Sequence, residues 1–428
     1  MKHFHMITML LIVFSINVSG QEGWTKQTSP SNLNLSGVYA LDSLNVWAVG
    51  GEGIIIHTTD GGVTWDSIPN GTTSSLYTVE FINPDTGWIA GKDDAQYGNI
   101  QRTTDGGLNW EIQSLPGGSQ MSITDVDFVE GPPGKPMRGY CTGGLSHTWL
   151  TDDYSETWEH VRGDCNEGNF NSCFFTDSIT GWLVGTPSAV NPYTIMHTED
   201  GGETFVEQTN PTEIKLNGVC FGTDLKGIAV GINTIIYTSD GGANWEESPD
   251  AGYINWLSVF LTETGKAWVV GNNGSIAYSI DWGHTWEAQE SGVTDPLWEV
   301  YFINDNEGWV VGGFGETNTI LHTKNGGVIS TGIHDLNDHN LKTYNLEQNY
   351  PNPFNSFTQI RYKLNQSSHI TLTVYDLLGR KIQTLVNEFQ ITGNHTVNFE
   401  ASHLCNGFYF YQLKLGNNIM ELKKMMVN

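Results

Sequence analysis

The stretch His57-Thr58-Thr59-Asp60-Gly61-Gly62-Val63-Thr64-Trp65 returns as Arg102-Thr103-Thr104-Asp105-Gly106-Gly107-Leu108-Asn109-Trp110. Further copies stand at 150–158 (LTDDYSETW), 197–205 (HTEDGGETF), 237–245 (YTSDGGANW) and 278–286 (YSIDWGHTW), with a decayed one at 322–330 (HTKNGGVIS). The acidic position falls at Asp60, Asp105, Asp153, Asp200, Asp240 and Asp281, with Asn325 last. Steps of 40 to 48 residues suit one four-stranded propeller blade. Asp hydrogen-bonds readily to backbone two residues on, and glycine tolerates positive φ, so this box is a turn device. A catalytic acid is needed once, whereas this carboxylate recurs in blade after blade, so it reads as structural. The aromatics that follow, Trp65, Trp110, Trp158, Trp245 and Trp286, read as covers over the joints between sheets.

A second element precedes each box. It runs Val46-Trp47-Ala48-Val49-Gly50 in the first copy and Gly87-Trp88-Ile89-Ala90-Gly91 in the second, and ends as Gly308-Trp309-Val310-Val311-Gly312 in the seventh. Upstream of each lies an apolar strand, with Val38, Val79, Val126, Cys173, Val219, Val259 and Val300 in one column. The seventh box lacks its outer strand, while Trp24-Thr25-Lys26-Gln27 resembles the outer strands of the other copies. Residues 21–330 are therefore expected to form a seven-bladed β-propeller closed by its first strand, which leaves no open sheet edge.

The chain has 428 residues, and 50 glycines with 49 aromatics suit short strands and tight turns. Charged residues are only 15%, against about 25% in ordinary soluble domains. Residues 22–330 hold 10 basic and 40 acidic side chains, whereas 341–428 hold 8 basic and 5 acidic, so two differently composed units are joined through a polar linker at 331–343. The net charge of −28 excludes a nucleic-acid partner bound through a basic face.

Lys2 and the apolar run Met6–Val18, ending in Ser19-Gly20, read as a secretory signal peptide over 1–20. The run is too short to span a bilayer, and no transmembrane span is expected elsewhere. Export permits disulfides among Cys141, Cys165, Cys173 and Cys220, with three possible pairings, a Cys165–Cys173 loop bridge among them; Cys405 stands alone. No cofactor or metal is expected. Asp93-Asp94, Asp125-Val126-Asp127 and Asp152-Asp153 offer Ca²⁺ oxygens without the spacing of a calcium loop, so they read as solvated surface.

From Tyr344 the text changes to LEQNYPNPFN at 346–355, VYDLLGR at 374–380, Gly393-Asn394-His395, NGFYFY at 406–411 and Lys423-Lys424-Met425-Met426-Val427. Alternating strands over 344–428 predict a small antiparallel, Ig-like β-sandwich. These pieces resemble the C-terminal (type A) sorting domain of type IX secretion substrates. The resemblance implies passage through the periplasm and across an outer membrane, with the type IX machinery as partner and release or cell-surface attachment as the outcome.

The repeats resemble Asp-box, or bacterial neuraminidase, repeats, and with the Gly-Trp element they are similar to the photosystem II stability and assembly factor type of propeller. That family is associated with an arginine-rich surface, whereas here the first unit has only Arg102, Arg138 and Arg162. Sialidases need an arginine cluster for the substrate carboxylate, which is also missing. The all-β chain is thus expected to be a non-enzymatic, secreted or surface propeller that binds a protein or glycan; a secreted glycoside hydrolase or lyase is the rival. Loops on a rigid ring carry function, and those on the face away from the boxes supply the candidate contacts Asp93, Asp94, Tyr97, Tyr193, Tyr253, Phe314 and Glu316, with Trp298 near the channel mouth.

Overall fold

The computed structural model describes residues 23–328 and 344–427, apart from positions 94, 96, 117–121, 133, 145–146, 162–168, 187–193, 250–251, 365–367, 376–379, 402–403, 405–406 and 416–417. The chain divides into two compact units, 1–332 and 333–428.

The first unit is a ring of seven four-stranded antiparallel sheets. The innermost strands are Leu35–Ala40, Ser75–Phe81, Ile123–Val129, Asn169–Phe175, Leu216–Thr223, Trp256–Leu261 and Leu297–Phe302. Second strands such as Val46–Gly50, Ala267–Gly271 and Gly308–Gly312 are buried along their whole length, which is why they read as unbroken apolar runs. The N-terminal strand Thr25–Lys26 completes the seventh sheet by pairing with Thr319–Thr323, Thr25 opposite His322 and Lys26 opposite Leu321. Trp24 is buried there and donates from Nε1 to Gln289 Oε1 at 2.9 Å.

Each box closes the turn between third and fourth strands through the same bonds. Asp60 Oδ1 accepts Thr58 Oγ1–H at 2.8 Å and the Thr64 N–H at 2.9 Å, and Oδ2 accepts Thr64 Oγ1–H at 2.7 Å. Thr58 Oγ1 in turn accepts the Gly62 N–H, a glycine at φ 85°. Asp105, Asp153, Asp200, Asp240 and Asp281 repeat the pattern. These donors favour the ionised form and hold the Asp60 carboxyl down at about 2. In the last blade Asn325 accepts from Thr323 Oγ1 at 2.9 Å.

Neighbouring blades are joined by aromatic stacks. The Trp of one Gly-Trp strand lies flat on the Phe ending the next blade's innermost strand: Trp47 on Phe81 at 4.0 Å, Trp88 on Phe128, Trp182 on Phe221 and Trp268 on Phe302 each at 3.6 Å between ring centroids. The box Trp of that next blade meets the same Phe edge-on, as Trp110 does Phe81, Trp158 does Phe128 and Trp245 does Phe221. Trp65, Trp158 and Trp245 are buried, while Trp110 and Trp286 are half-buried. The glycine of the Gly-Trp pair makes room for that Phe: a Cβ on Gly87 would lie 2.6 Å from the Phe81 ring, and one on Gly308 2.5 Å from Phe302.

The second unit is a sandwich of two sheets. One contains Tyr344–Leu346, Phe357–Leu364 and Gly393–Glu400; the other contains Lys381–Gln390, Ser368–Tyr375, Gly407–Leu415 and Asn418–Val427. The LEQNYPNPFN segment is pinned to it. Leu346 and Phe354 enter the core, buried Asn349 donates from Nδ2 to Thr358 Oγ1 at 2.9 Å, and Asn352 Oδ1 accepts the Met426 N–H at 2.9 Å.

Truncating Trp88, fully buried and bonded through Nε1 to Ser155 Oγ at 2.7 Å, removes the centre of one inter-blade stack. Trp88→Ala is expected to cost the propeller about 3–5 kcal/mol, measured by urea unfolding; an unchanged midpoint would refute the stacking account.

Candidate functional site

Alternating strand direction puts the Asp boxes on one face and the second-to-third-strand and inter-blade loops on the other. On that loop face Tyr97, Tyr253, Phe314 and Glu316 are exposed, Tyr253 at 98%. Asp93 closes its own loop, its Oδ1 accepting the Tyr97 N–H at 2.8 Å and its own N–H donating to the Tyr97 carbonyl. Phe314 and Glu316 sit in a turn closed by Thr317 Oγ1 donating to the Phe314 carbonyl at 2.9 Å. Asp94 and Tyr193 lie outside the described residues. These candidates are distributed around the ring: Tyr97 belongs to the second blade, Tyr253 to the junction of the fifth and sixth, Phe314 to the seventh. Trp298 stands apart from them on an innermost strand, donating from Nε1 to the Gly313 carbonyl at 2.9 Å and lining the axial channel. The two described arginines of the propeller are committed between blades, Arg102 to Glu156 at 2.8 Å and Arg138 to both oxygens of Asp152 and to the Ser178 carbonyl.

The axis holds a cavity of about 700 Å³ lined by all seven innermost strands. Thr124, Asn171, Asn217 and Trp298 ring the part nearest the loop face, and deeper lie Glu80, Asp125, Asp127 and Glu299 together with Tyr39, Phe260 and Tyr301. Asp125 and Asp127 are therefore not the solvated surface pair expected from sequence. They flank Val126 of the apolar column and face the axis, a placement readable once that column is assigned to the innermost strand.

The carboxylates answer a structural need. An innermost strand is an edge strand, so some of its N–H groups have no partner in their own sheet. Glu80 Oε1 accepts the Phe128 N–H at 3.2 Å, Asp125 Oδ2 that of Cys173 at 3.0 Å, and Asp127 Oδ2 that of Phe175 at 2.5 Å, each across to the following blade. Glu299 Oε1 accepts Ser258 Oγ–H at 2.6 Å. Burial still dominates their titration. It raises Asp125 to about 6, Asp127 to about 7 and Glu299 to about 8, and it pushes Glu80 well up, with Asp127's charge adding to the effect.

Cys141, Cys173 and Cys220 are buried free thiols, so none of them takes part in the pairings that the sequence left open; Cys165 and Cys405 themselves lie outside the described residues. Burial pushes the Cys220 thiol up to about 12, leaving it unreactive at neutral pH. Among the described residues no three His, Cys, Asp or Glu side chains come together as a metal-ion site, and no helix is long and apolar enough to cross a membrane.

Comparison with known proteins fits this architecture. Residues 10–99 match the family model described as photosynthesis system II assembly factor YCF48, and residues 348–428 match that of the secretion system C-terminal sorting domain. The chain joins a Ycf48-like propeller to a sorting domain. The photosystem II assembly lipoprotein Ycf48 of Synechococcus sp. (strain CC9902) is 26% identical over 290 residues, 63% of this chain and 82% of the relative. The matched stretches of other curated Ycf48 relatives, such as that of Synechococcus sp. (strain JA-3-3Ab), span a quarter of those proteins or less. The solved structure of YCF48 bound to D1 peptide superposes with a TM-score of 0.57 at 19% identity, covering 70% of this chain and 94% of that one. The GH74 xyloglucanase from Xanthomonas campestris gives a TM-score of 0.56 at 11% identity over 94% of this chain and 68% of its own. Identities this low establish the shared fold.

The two carboxylate classes oppose each other in pH. The Asp-box carboxyls, held low, stabilise the fold above the unfolded-state pKa near 4 and lose that contribution as pH falls toward 2. The channel carboxyls, held high, keep protons that the unfolded chain has released, so stability declines as pH rises from about 4 through about 8. The channel carboxyls are therefore expected to pull the melting temperature down between pH 5 and pH 8, against His57, His147, His197 and His322, whose pKa values burial depresses and which favour the fold as pH rises. Asp127→Asn, which retains an acceptor for Phe175, should flatten the decline; a parallel curve for the variant would contradict the assignment.

Proposed function

We propose that this protein is a secreted or cell-surface binding module, exported by the type IX machinery through its sandwich, that holds a protein segment on the loop face of its propeller. The observation that carries this reading is the pairing of a sorting domain with a propeller whose exposed aromatics, Tyr97, Tyr253 and Phe314, stand on one face of a rigid ring. Exposed aromatics supply contact area at low entropic cost, and a propeller of this type has been solved with a peptide bound. A polysaccharide-cleaving role needs a general acid and a second carboxylate at an accessible cleft. Here each axial carboxylate gives an oxygen to a backbone or hydroxyl donor of an adjoining blade, a structural use that favours binding over hydrolysis.

Removal of 344–428 is expected to leave the propeller folded and trapped in the periplasm, read by fractionation and surface proteolysis; normal surface delivery of the truncation would sink the export reading. For the binding face, Tyr253→Ser with Phe314→Ser should lower capture of a peptide selected on the wild-type propeller by about tenfold or more without moving the melting temperature. Release of reducing ends from a polysaccharide by the wild type, abolished on neutralising one carboxylate, would instead establish the hydrolase.

A further inference from the structure

The axial cavity has a composition that the loop-face reading does not use. Four carboxylates, Glu80, Asp125, Asp127 and Glu299, share it, and no Lys, Arg or His is among its lining residues. Glu80, Asp127 and Glu299 each engage one oxygen and Asp125 engages both, yet Glu80 Oε2 is sealed from solvent and has no hydrogen-bond partner. A buried carboxylate oxygen left so is costly unless something supplies a donor. The innermost strands of the sixth, seventh and first blades add a continuous aromatic wall: Tyr39 lies 4.7 Å from Tyr301, and Tyr301 5.2 Å from Phe260, between ring centroids. At about 700 Å³ the cavity is of the size that encloses small ligands or a side chain.

We propose that the axial channel is a receptor for an alkylammonium group, its charge entering among Glu80, Asp125, Asp127 and Glu299 and its methylenes lying on the wall formed by Tyr39, Phe260 and Tyr301. The donor set selects this cation over others. A divalent metal needs several oxygens converging on one point, and the described residues form no such group. A guanidinium is best held by both oxygens of one carboxylate, whereas each carboxylate here has already given one oxygen to a neighbouring blade or hydroxyl. An ammonium offers three separate donors to separate acceptors, and π-faces beside it add cation–π attraction. The remaining titratable side chains on the wall are Tyr77 and the groups that burial holds neutral, Tyr39, Tyr301, Cys173 and Cys220. The bound charge therefore acts on the four carboxyls, drawing them to ionise and expelling protons to solvent.

The site is independent of the loop face and of export, so either reading stands if the other fails. The test uses the full chain with Nα-acetyl-lysine N-methylamide, standing for a lysine of a partner protein, and spermidine, standing for a free polyamine; 1,5-pentanediol and CaCl₂ are the controls. Expected is a rise in melting temperature of roughly 2–5 °C at saturating amine, absent with the diol and with CaCl₂. The rise should grow from pH 5.5 to pH 8, with proton release seen by calorimetry in two buffers of different ionisation enthalpy. A response to the blocked lysine alone identifies a protein-borne ligand, and a stronger response to spermidine a free one. Glu80→Gln, which keeps an acceptor for Phe128, should weaken amine binding at least tenfold. No response to either amine, an equal response to the diol or to CaCl₂, or an amine response undiminished in a folded Glu80→Gln variant would overturn the proposal; if that variant fails to fold, the wild-type pH dependence and proton release decide alone.

Discussion

The ring depends on a flat Trp ring laid over a Phe that itself lies on a glycine of its own blade. Each member of that stack belongs to a different constraint. The Trp buries a large apolar face, the Phe closes the innermost strand, and the missing Cβ of the glycine gives the Phe its place. The dependence is visible where it lapses. The first blade has Ala40 where others have Phe, and the matching glycine is replaced by Val46; the sixth has Leu261 with Ala267. Where the ring is small the space under it is filled by a larger neighbour, so the joint keeps its volume with different parts, as close-packed interiors require.

Most of the propeller was legible because its signals repeat. One Asp-Gly-Gly turn proves little, but its recurrence in step with a Gly-Trp strand and an apolar column fixes both blade number and strand order. Closure through Trp24 and Thr25 was readable from the missing outer strand of the last blade. The channel was not read, although its residues are neighbours of the column that was. Asp125-Val126-Asp127 has the alternation of a half-exposed strand, and alternation alone does not say whether the polar side faces bulk water or an enclosed axis. The loop-face candidates show the opposite failure. Tyr97, Tyr253 and Phe314 are exposed, as loop residues of that kind should be, but no local pattern says which blades their loops bring near one another.

The axial carboxylates also show how one group serves two demands. Capping the N–H of the next blade requires an acceptor, which an uncharged side chain supplies elsewhere on the axis, as Ser258 Oγ does for the Val300 N–H and Cys220 Sγ for the Leu261 N–H. Acids at three of these positions, Glu80, Asp125 and Asp127, add an ionisable group that the capping does not need. Their raised pKa values record the cost of that choice.

The pairing of Thr25 with His322 spans 297 positions of sequence and is the last joint of the ring to become available. A contact that distant closes slowly, because the entropy of the intervening chain must be lost before the bonds are gained. Until the latch shuts, the strand Thr319–Thr323 presents a bare edge, and the first strand of another copy fits that edge as well as its own. At high local concentration, unlatched chains therefore have a ready route to exchanged rings, whereas dilution leaves each chain time to close on itself and keeps the propeller single.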